Sequence, residues 1–268
     1  MDRALLVGIN AYPAAPLRGC VHDVADMTDY LVSACGFHTG DIRPLTDEQA
    51  TAQAIRVGLW WLTAELQPGD RALFQFSGHG AQIPAQDAMG NLIGLNEAIC
   101  PSDVDWTDRT MISDRELTQI FNQIPDGVEA VWVSDSCHSG DLDHYVGISD
   151  TTLRARQLSP PHDLLWQALA AKDCVRIPPD PLENVVLLAA CAKDQIAADV
   201  ALCGRYTGAF THYLLATLRD LPKLPLAAVL AETKRRLRIA GYAQDPQLRG
   251  SSAVASRAFL APTPAARG

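Results

Sequence analysis

Two short runs constrain this chain more than anything else in it: Ser77-Gly78-His79-Gly80 and Asp135-Ser136-Cys137-His138-Ser139-Gly140. Each closes an apolar, strand-like segment, Ala72-Leu73-Phe74-Gln75-Phe76 before the first and Ala130-Val131-Trp132-Val133 before the second. Apolar runs of this length, ending in small polar residues and glycine, read as buried strands of a parallel sheet. Open parallel sheets place their chemistry just beyond the carboxyl ends of the strands. A histidine and a cysteine are therefore delivered to one edge of one sheet. That is the arrangement a cysteine hydrolase needs.

Strand-like and helix-like segments alternate along the rest of the chain, the pattern of an α/β sandwich with parallel strands. Ala4 to Ile9 is the first strand, and Val24, Met27, Leu31 and Ala34 mark one face of a first helix. Ile42 to Leu45 reads as a short strand. Ile55, Leu59, Leu62 and Leu66 form a second amphipathic stripe, stopped by Pro68-Gly69-Asp70. A third stripe, Leu117, Ile120, Phe121 and Ile124, opens with a capping box, Ser113-x-x-Glu116. From about Ser149 to Glu183 the pattern breaks down among prolines 160, 161, 178, 179 and 181, with one helix expected around Leu164 to Ala171. This segment reads as a mobile linker. Val185 to Ala190 is again a buried strand. Helices follow over Phe210 to Leu218 and Leu226 to Leu237, and Asp245-Pro246-Gln247-Leu248 opens a last extended segment.

Composition narrows the partners. Lys and Arg number 22 against 31 Asp and Glu, a formal charge of −9. That balance argues against nucleic acid or an anionic membrane as partner and favours cationic substrates. The seven cysteines are an odd number, with no CxxC pair, so neither a zinc site nor a disulfide framework is indicated. Free thiols point to a reducing compartment. The amino terminus carries no secretory leader pattern, and no apolar run is long enough to span a bilayer. A cytoplasmic protein is expected.

The chemistry follows from the strand ends. A thiol with its free pKa of about 8.5 is mostly protonated at neutral pH. A nearby histidine activates it as ion-pair partner or general base. In this reading Cys137 attacks a peptide carbonyl and His79 passes the proton to the leaving amine. Gly80, lacking a Cβ, brings its N–H close to the tetrahedral oxygen, and with the Cys137 N–H completes an oxyanion hole. Side chains two apart in a strand share a face about 7 Å apart, so Asp135 flanks Cys137 and Ser77 flanks His79. A carboxylate beside the nucleophile opposes thiolate formation and makes more sense as a receptor for a cationic side chain. Asp23, in Arg18-Gly19-Cys20-Val21-His22-Asp23, is a candidate second wall. The alternatives are a helix N-cap for Asp23, an oriented backbone turn for Asp135 and a plain turn residue for Ser77.

These motifs together resemble the metacaspases, and more loosely the wider caspase-like cysteine peptidases, which place their histidine about 50 residues before the cysteine. Gly8-Ile9-Asn10, Leu17 to Asp23, the two strand-end runs, Cys191-Ala192-Lys193-Asp194-Gln195 with Ala198-Asp199, and Gln244 to Leu248 carry the likeness, in order, over nearly the whole chain. The resemblance implies a three-layer α/β/α sandwich with a mostly parallel central sheet, the caspase-hemoglobinase fold. It divides the chain into a large-subunit-like region (1–148), a linker (149–183), a small-subunit-like region completing the same domain (184–260) and a tail (261–268). It implies a His79–Cys137 dyad and cleavage after Arg or Lys, with Asp23 and Asp135 binding the base and Ser77 and Cys20 lining the pocket. It also implies a monomer acting on peptides or proteins that contain basic residues. A caspase-fold peptidase of other specificity and a catalytically silent scaffold are the competing readings.

One departure from the family concerns calcium, which many metacaspases bind through acidic residues. The matching positions here are Asn96, Ser113, Asp114 and His144, with Asp143 adjacent. Calcium sites need several charged oxygens, so weak or no calcium dependence and no other cofactor are expected, a pattern that resembles the prokaryotic metacaspase-like proteins (orthocaspases), and Ser113 and Asp114 read as helix capping. Cys35, Cys100, Cys174, Cys191 and Cys203 read as small apolar residues. His138 points away from the cysteine face, and His22, His38, His144, His162 and His212 carry no role. Arg154, Arg156, Lys172 and Arg176 are ordinarily solvated. Under a preference for basic residues they are also candidate self-cleavage sites.

Overall fold

Registers and strand order explain how two distant motifs reach one rim. The computed structural model describes residues 1–86, 89, 92–137, 153–161, 163–164, 179–192 and 195–261. The readings of His138, Asp143, His144, His162, Lys172, Cys174 and Arg176, most of the helix expected near Leu164, and nearly all of the tail lie outside the described residues.

The strands are β1 (Asp2–Gly8), β2 (Ile42–Thr46), β3 (Arg71–Ser77), β4 (Gly80–Gln86), β5 (Leu92–Ile99), β6 (Ile112–Ser113), β7 (Glu129–Asp135), β8 (Arg154–Ala155), β9 (Val185–Ala189), β10 (Ala198–Leu202), β11 (Arg205–Gly208) and β12 (Gln247–Gly250). The helices are α1 (Cys20–Ser33), α2 (Ala52–Thr63), α3 (Asp114–Phe121), α4 (Ala209–Asp220), α5 (Leu226–Ile239) and α6 (Ser252–Ala255). A central sheet runs in the order β12-β9-β7-β3-β1-β2, parallel throughout except for β12.

Alternation along the strands sorts side chains onto two cores. Ala4 and Leu6 of β1 and Val131 and Val133 of β7 join Met27, Leu31, Phe210 and Leu214 on one face. Leu5, Val7, Ala130 and Trp132 join Ile55, Leu59, Leu117 and Phe121 on the other. Helices cover both faces, which is why the central strands read as unbroken apolar runs. The result is the caspase-like α/β/α sandwich that the sequence implies.

In the β3–β7 ladder Ser77 stands opposite Asp135. His79 and Cys137 each lie two residues past that level rung, so the register brings both to the same rim. Two small antiparallel sheets, β4-β5-β6 and β8-β10-β11, rise beyond this edge. Neither was legible from the hydropathy pattern. β8 is the larger surprise, because it falls in the stretch read as a mobile linker, and its Arg154 and Ala155 pair with Asp199 and Ala198. Residues 153–161 of that linker are thus a strand followed by a strap across the rim. At α3 the Ser113 hydroxyl caps the helix by accepting the Glu116 N–H at 3.1 Å. The Glu116 carboxylate, expected to fold back and complete the box, instead pairs with Arg56 at 2.7 Å.

Candidate active site

A single arginine fills the rim. Arg156 is fully buried, and its guanidinium lies 2.7 Å from Asp23 Oδ2, 3.2 Å from Asp135 Oδ2 and 3.0 Å from Asp199 Oδ1. The expectation that this side chain is solvated is corrected: three carboxylates compensate its charge, without which such burial is prohibitive. Each carboxylate is fixed by further donors. Asp23, in the first turn of α1 behind an N-cap filled by Gly19, accepts the Thr207 hydroxyl and the Gly208 N–H. Asp135 accepts the N–H and hydroxyl of Thr211 at the start of α4. Asp199 accepts the N–H groups of Arg18 and Gly19 at the entry to α1. Burial pushes the Asp23 carboxyl up to about 6, with the Arg156 charge opposing. Gly208 forms a wall of this pocket, where no side chain fits beside the guanidinium.

Cys20 is buried close enough to feel the Arg156 charge; burial raises its thiol well above the ordinary range. Ser77 is buried too, its hydroxyl accepting from Gln75 Nε2 at 3.3 Å, a neighbour within its own strand.

The main chain of Arg156 is held as firmly as its side chain. Its N–H donates to the Ala197 carbonyl at 3.0 Å. Its carbonyl oxygen accepts the N–H groups of both Gly80 and Cys137, each at 3.1 Å. Two convergent backbone donors on one carbonyl are the geometry by which acyl-transfer enzymes stabilise a tetrahedral oxyanion.

His79 stands beside this carbonyl on a scaffold of its own. Its Nε2 lies 2.6 Å from the Ala15 carbonyl, its backbone N–H donates to the Tyr12 hydroxyl, and its ring packs on the Tyr12 ring at 4.5 Å. A carbonyl can only accept, so the proton sits on Nε2 and Nδ1 is left as the free, basic nitrogen. Burial lowers His79 to about 4, with the Ala15 carbonyl opposing. Burial likewise raises Cys137 to about 12; the Ala197 backbone opposes and Asp135 adds to the rise. The Arg156 backbone bears on both groups and favours the charged form of each. Covered by the strap, both are neutral.

Asp199, Tyr12 and Ala15 carry parts of this site that sequence reasoning assigned to no role. A signal existed for Asp199: a carboxylate within Ala197-Ala198-Asp199-Val200 has no exposed face and needs a buried partner. Ala15 acts through its carbonyl, and Tyr12 sits in a proline-flanked loop, so neither left a residue-type signature.

Of the positions matching calcium ligands, Asn96, Ser113 and Asp114 lie among the described residues. Asn96 and Ser113 line a cavity with Ile83 and Trp106, whereas Asp114 lines a different one with Ser136 and Arg249. Among the described residues no group of three His, Cys, Asp or Glu is placed to hold a metal ion. Nor is any helix among them long and apolar enough to cross a membrane.

Comparison with known proteins identifies the family. Residues 2–144 match the family model described as metacaspase, peptidase C14 domain. Metacaspase-1 of Mycosarcoma maydis is 29% identical over 94% of this chain and 71% of its own length. Metacaspase-7 of Arabidopsis thaliana is 39% identical over 58% of this chain and 40% of its own length. Among solved structures, protein GSU0716 of Geobacter sulfurreducens superposes with a TM-score of 0.72, covering 98% of this chain and 99% of that one at 23% identity, a likeness of fold. With a family model matched over more than half of its length, the chain belongs to the metacaspases, a family of cysteine-type peptidases.

Proposed function

We propose that this peptidase cuts after arginine or lysine, with Cys137 as nucleophile, His79 as proton carrier, and Asp23, Asp135 and Asp199 as the receptor for the basic side chain. One observation carries the reading. Arg156 lies in the acidic pocket while its own carbonyl occupies the two-donor site formed by Gly80 and Cys137. Backbone pairing of β8 with β10 is the strand-addition mode by which extended peptides dock on a sheet edge. The strap therefore stands as a substrate in place, and Arg156–Gln157 becomes the bond for self-cleavage.

In the mechanism, His79 Nδ1 takes the thiol proton as the Cys137 sulfur bonds to the carbonyl carbon. Gly80 and Cys137 N–H groups hold the oxygen as it gains charge. The C–N bond then breaks as the imidazolium gives its proton to the departing amine. Water next attacks the thioester carbon; its C–O bond forms, the C–S bond breaks, and the thiol is restored. Both groups are neutral beneath the strap, so the thiol proton passes to His79 in the same step that forms the C–S bond.

The proposal extends to turnover without calcium, because only Asp114 among the matching positions Asn96, Ser113, Asp114 and His144 is a carboxylate. The test is a fluorogenic peptide panel varying the residue before the cleaved bond among Arg, Lys, Gln and Asp, run with calcium and with chelator. Turnover confined to Arg and Lys, unaffected by chelator and absent in Cys137→Ala, is expected. Faster cleavage after Gln or Asp would reject the specificity, and silence in chelator would reject calcium independence.

A further inference from the structure

The chain beyond the bond at Arg156–Gln157 is also bound. Gln157 forms a parallel bridge with Gly80, and the Leu158 N–H donates to the Gly80 carbonyl at 2.9 Å. Gly80 thus straddles the bond. Its N–H holds the carbonyl before it, and its C=O holds the amide of the second residue after it. The Leu158 side chain is 9% exposed and belongs to the apolar cluster that includes Tyr12, Leu17 and Ala81. Farther along, Leu164 shares a cavity with Ile83, Pro84 and Ala85, so the strap returns to the β4 wall again beyond the bond.

We infer that the site selects substrates on the leaving-group side, through a subsite that takes an N–H on Gly80 and a large aliphatic side chain at the second residue after the cleaved bond. This rests on the reading of Arg156 as a bound substrate residue. Two physical terms make the selection. Proline or an N-methylated residue at that position has no hydrogen to give, and leaves a buried carbonyl unpaired. Aspartate there buries a charge in an apolar cluster. The leaving side of the substrate is held at two points, which keeps the amine nitrogen in reach of His79 until the proton has passed.

The test uses the full chain and the octapeptide Leu-Ala-Ala-Arg-Gln-Leu-Ser-Pro, which copies residues 153–160 with the earlier arginine replaced by alanine, cleavage being followed by mass spectrometry. Three companions replace its second leucine by proline, N-methyl-leucine or aspartate, and a fourth replaces its arginine by glutamine. Loss of the hydrogen bond should lower kcat/KM by about tenfold to a hundredfold for the first two, and charge burial by about tenfold or more for aspartate. N-methyl-leucine keeps the side chain, so it isolates the amide contact. If proline, N-methyl-leucine and aspartate peptides are cut as fast as the parent, the subsite is refuted while the arginine preference stands. Equal cleavage of the glutamine peptide, or cleavage of none, overturns the underlying specificity and this inference with it.

Discussion

The guanidinium of Arg156 lies 3.0 Å from Asp199 Oδ1, across 43 residues of chain, and both side chains are fully buried. Asp199 has a second task, since its two oxygens also hold the N–H groups of Arg18 and Gly19. Asp199→Asn keeps one acceptor oxygen for those N–H groups, sets an NH2 where the other oxygen stood, and removes one negative charge from the pocket. It should lower kcat/KM for arginine peptides by about a hundredfold, in line with losing one partner of a desolvated charge pair. Asp199→Ala should lose as much activity and also melt earlier, because two buried donors are left unpaired. Peptide kinetics beside thermal melts of both variants check this; equal melting would remove the structural role.

Arg156 is expected to mark the self-cleavage bond. Intact-mass spectrometry of incubated protein should find pieces ending at residue 156 and beginning at residue 157, absent in Cys137→Ala. Arg156→Ala should stop that cut. It also leaves three buried carboxylates facing one another without a cation. Where the pocket stays dry, this costs about 3–5 kcal/mol, readable as a lower urea midpoint. A full yield of the same pieces from Arg156→Ala would overturn the assignment.

Activity should depend on Asp23 with a definite sign. With a basic side chain in the pocket this carboxyl titrates at about 6 and is charged only above that value. So kcat for arginine peptides falls as pH drops through about 6. Stability runs the opposite way. An unfolded Asp titrates near about 3.9, so between that value and the raised one the folded state binds more protons, and stability declines as pH rises. Asp23→Asn should be slow at every pH and should lose this part of both profiles. A pH–rate series and a pH–melting series on the two proteins decide it.

How much of this was legible in sequence follows from where each part gets its signal. The central strands were visible because both their faces are buried, and equal overhang past β3 and β7 carries His79 and Cys137 to one rim. Asp23 and Asp135 were visible as charges at structured positions. Arg156 was visible only as one of four basic residues in a stretch rich in proline. Its burial depends on carboxylates from α1, β7 and β10, which meet only after the whole sheet has formed. Local pattern reports amphipathicity, and a short strand whose partner is a fully buried ion cluster has none to report. The same holds for Glu116, whose capping-box position is real but whose carboxylate is drawn to Arg56 of α2.

Gly208 gives the sharpest steric test. Its φ of −71° and ψ of 130° suit any residue, so alanine would not strain the backbone. A Cβ there, however, would fall 2.1 Å from Asp135 Oδ2 and 2.6 Å from Arg156 Nη1. Asp135 cannot retreat, because Thr211 holds the same oxygen through two hydrogen bonds. The methyl must therefore displace the occupant. Overpacking of this kind costs about 1–3 kcal/mol, which corresponds to roughly tenfold to a hundredfold in kcat/KM for arginine. Lysine carries a single narrow ammonium in place of the planar fork and should be affected less. Gly208→Ala is accordingly expected to shift the ratio of lysine to arginine cleavage toward lysine, and to lower the melting temperature of the intact chain, whose pocket holds Arg156. Matched Arg and Lys peptides measure the ratio. An unchanged ratio would mean that substrate arginine does not lie where Arg156 lies.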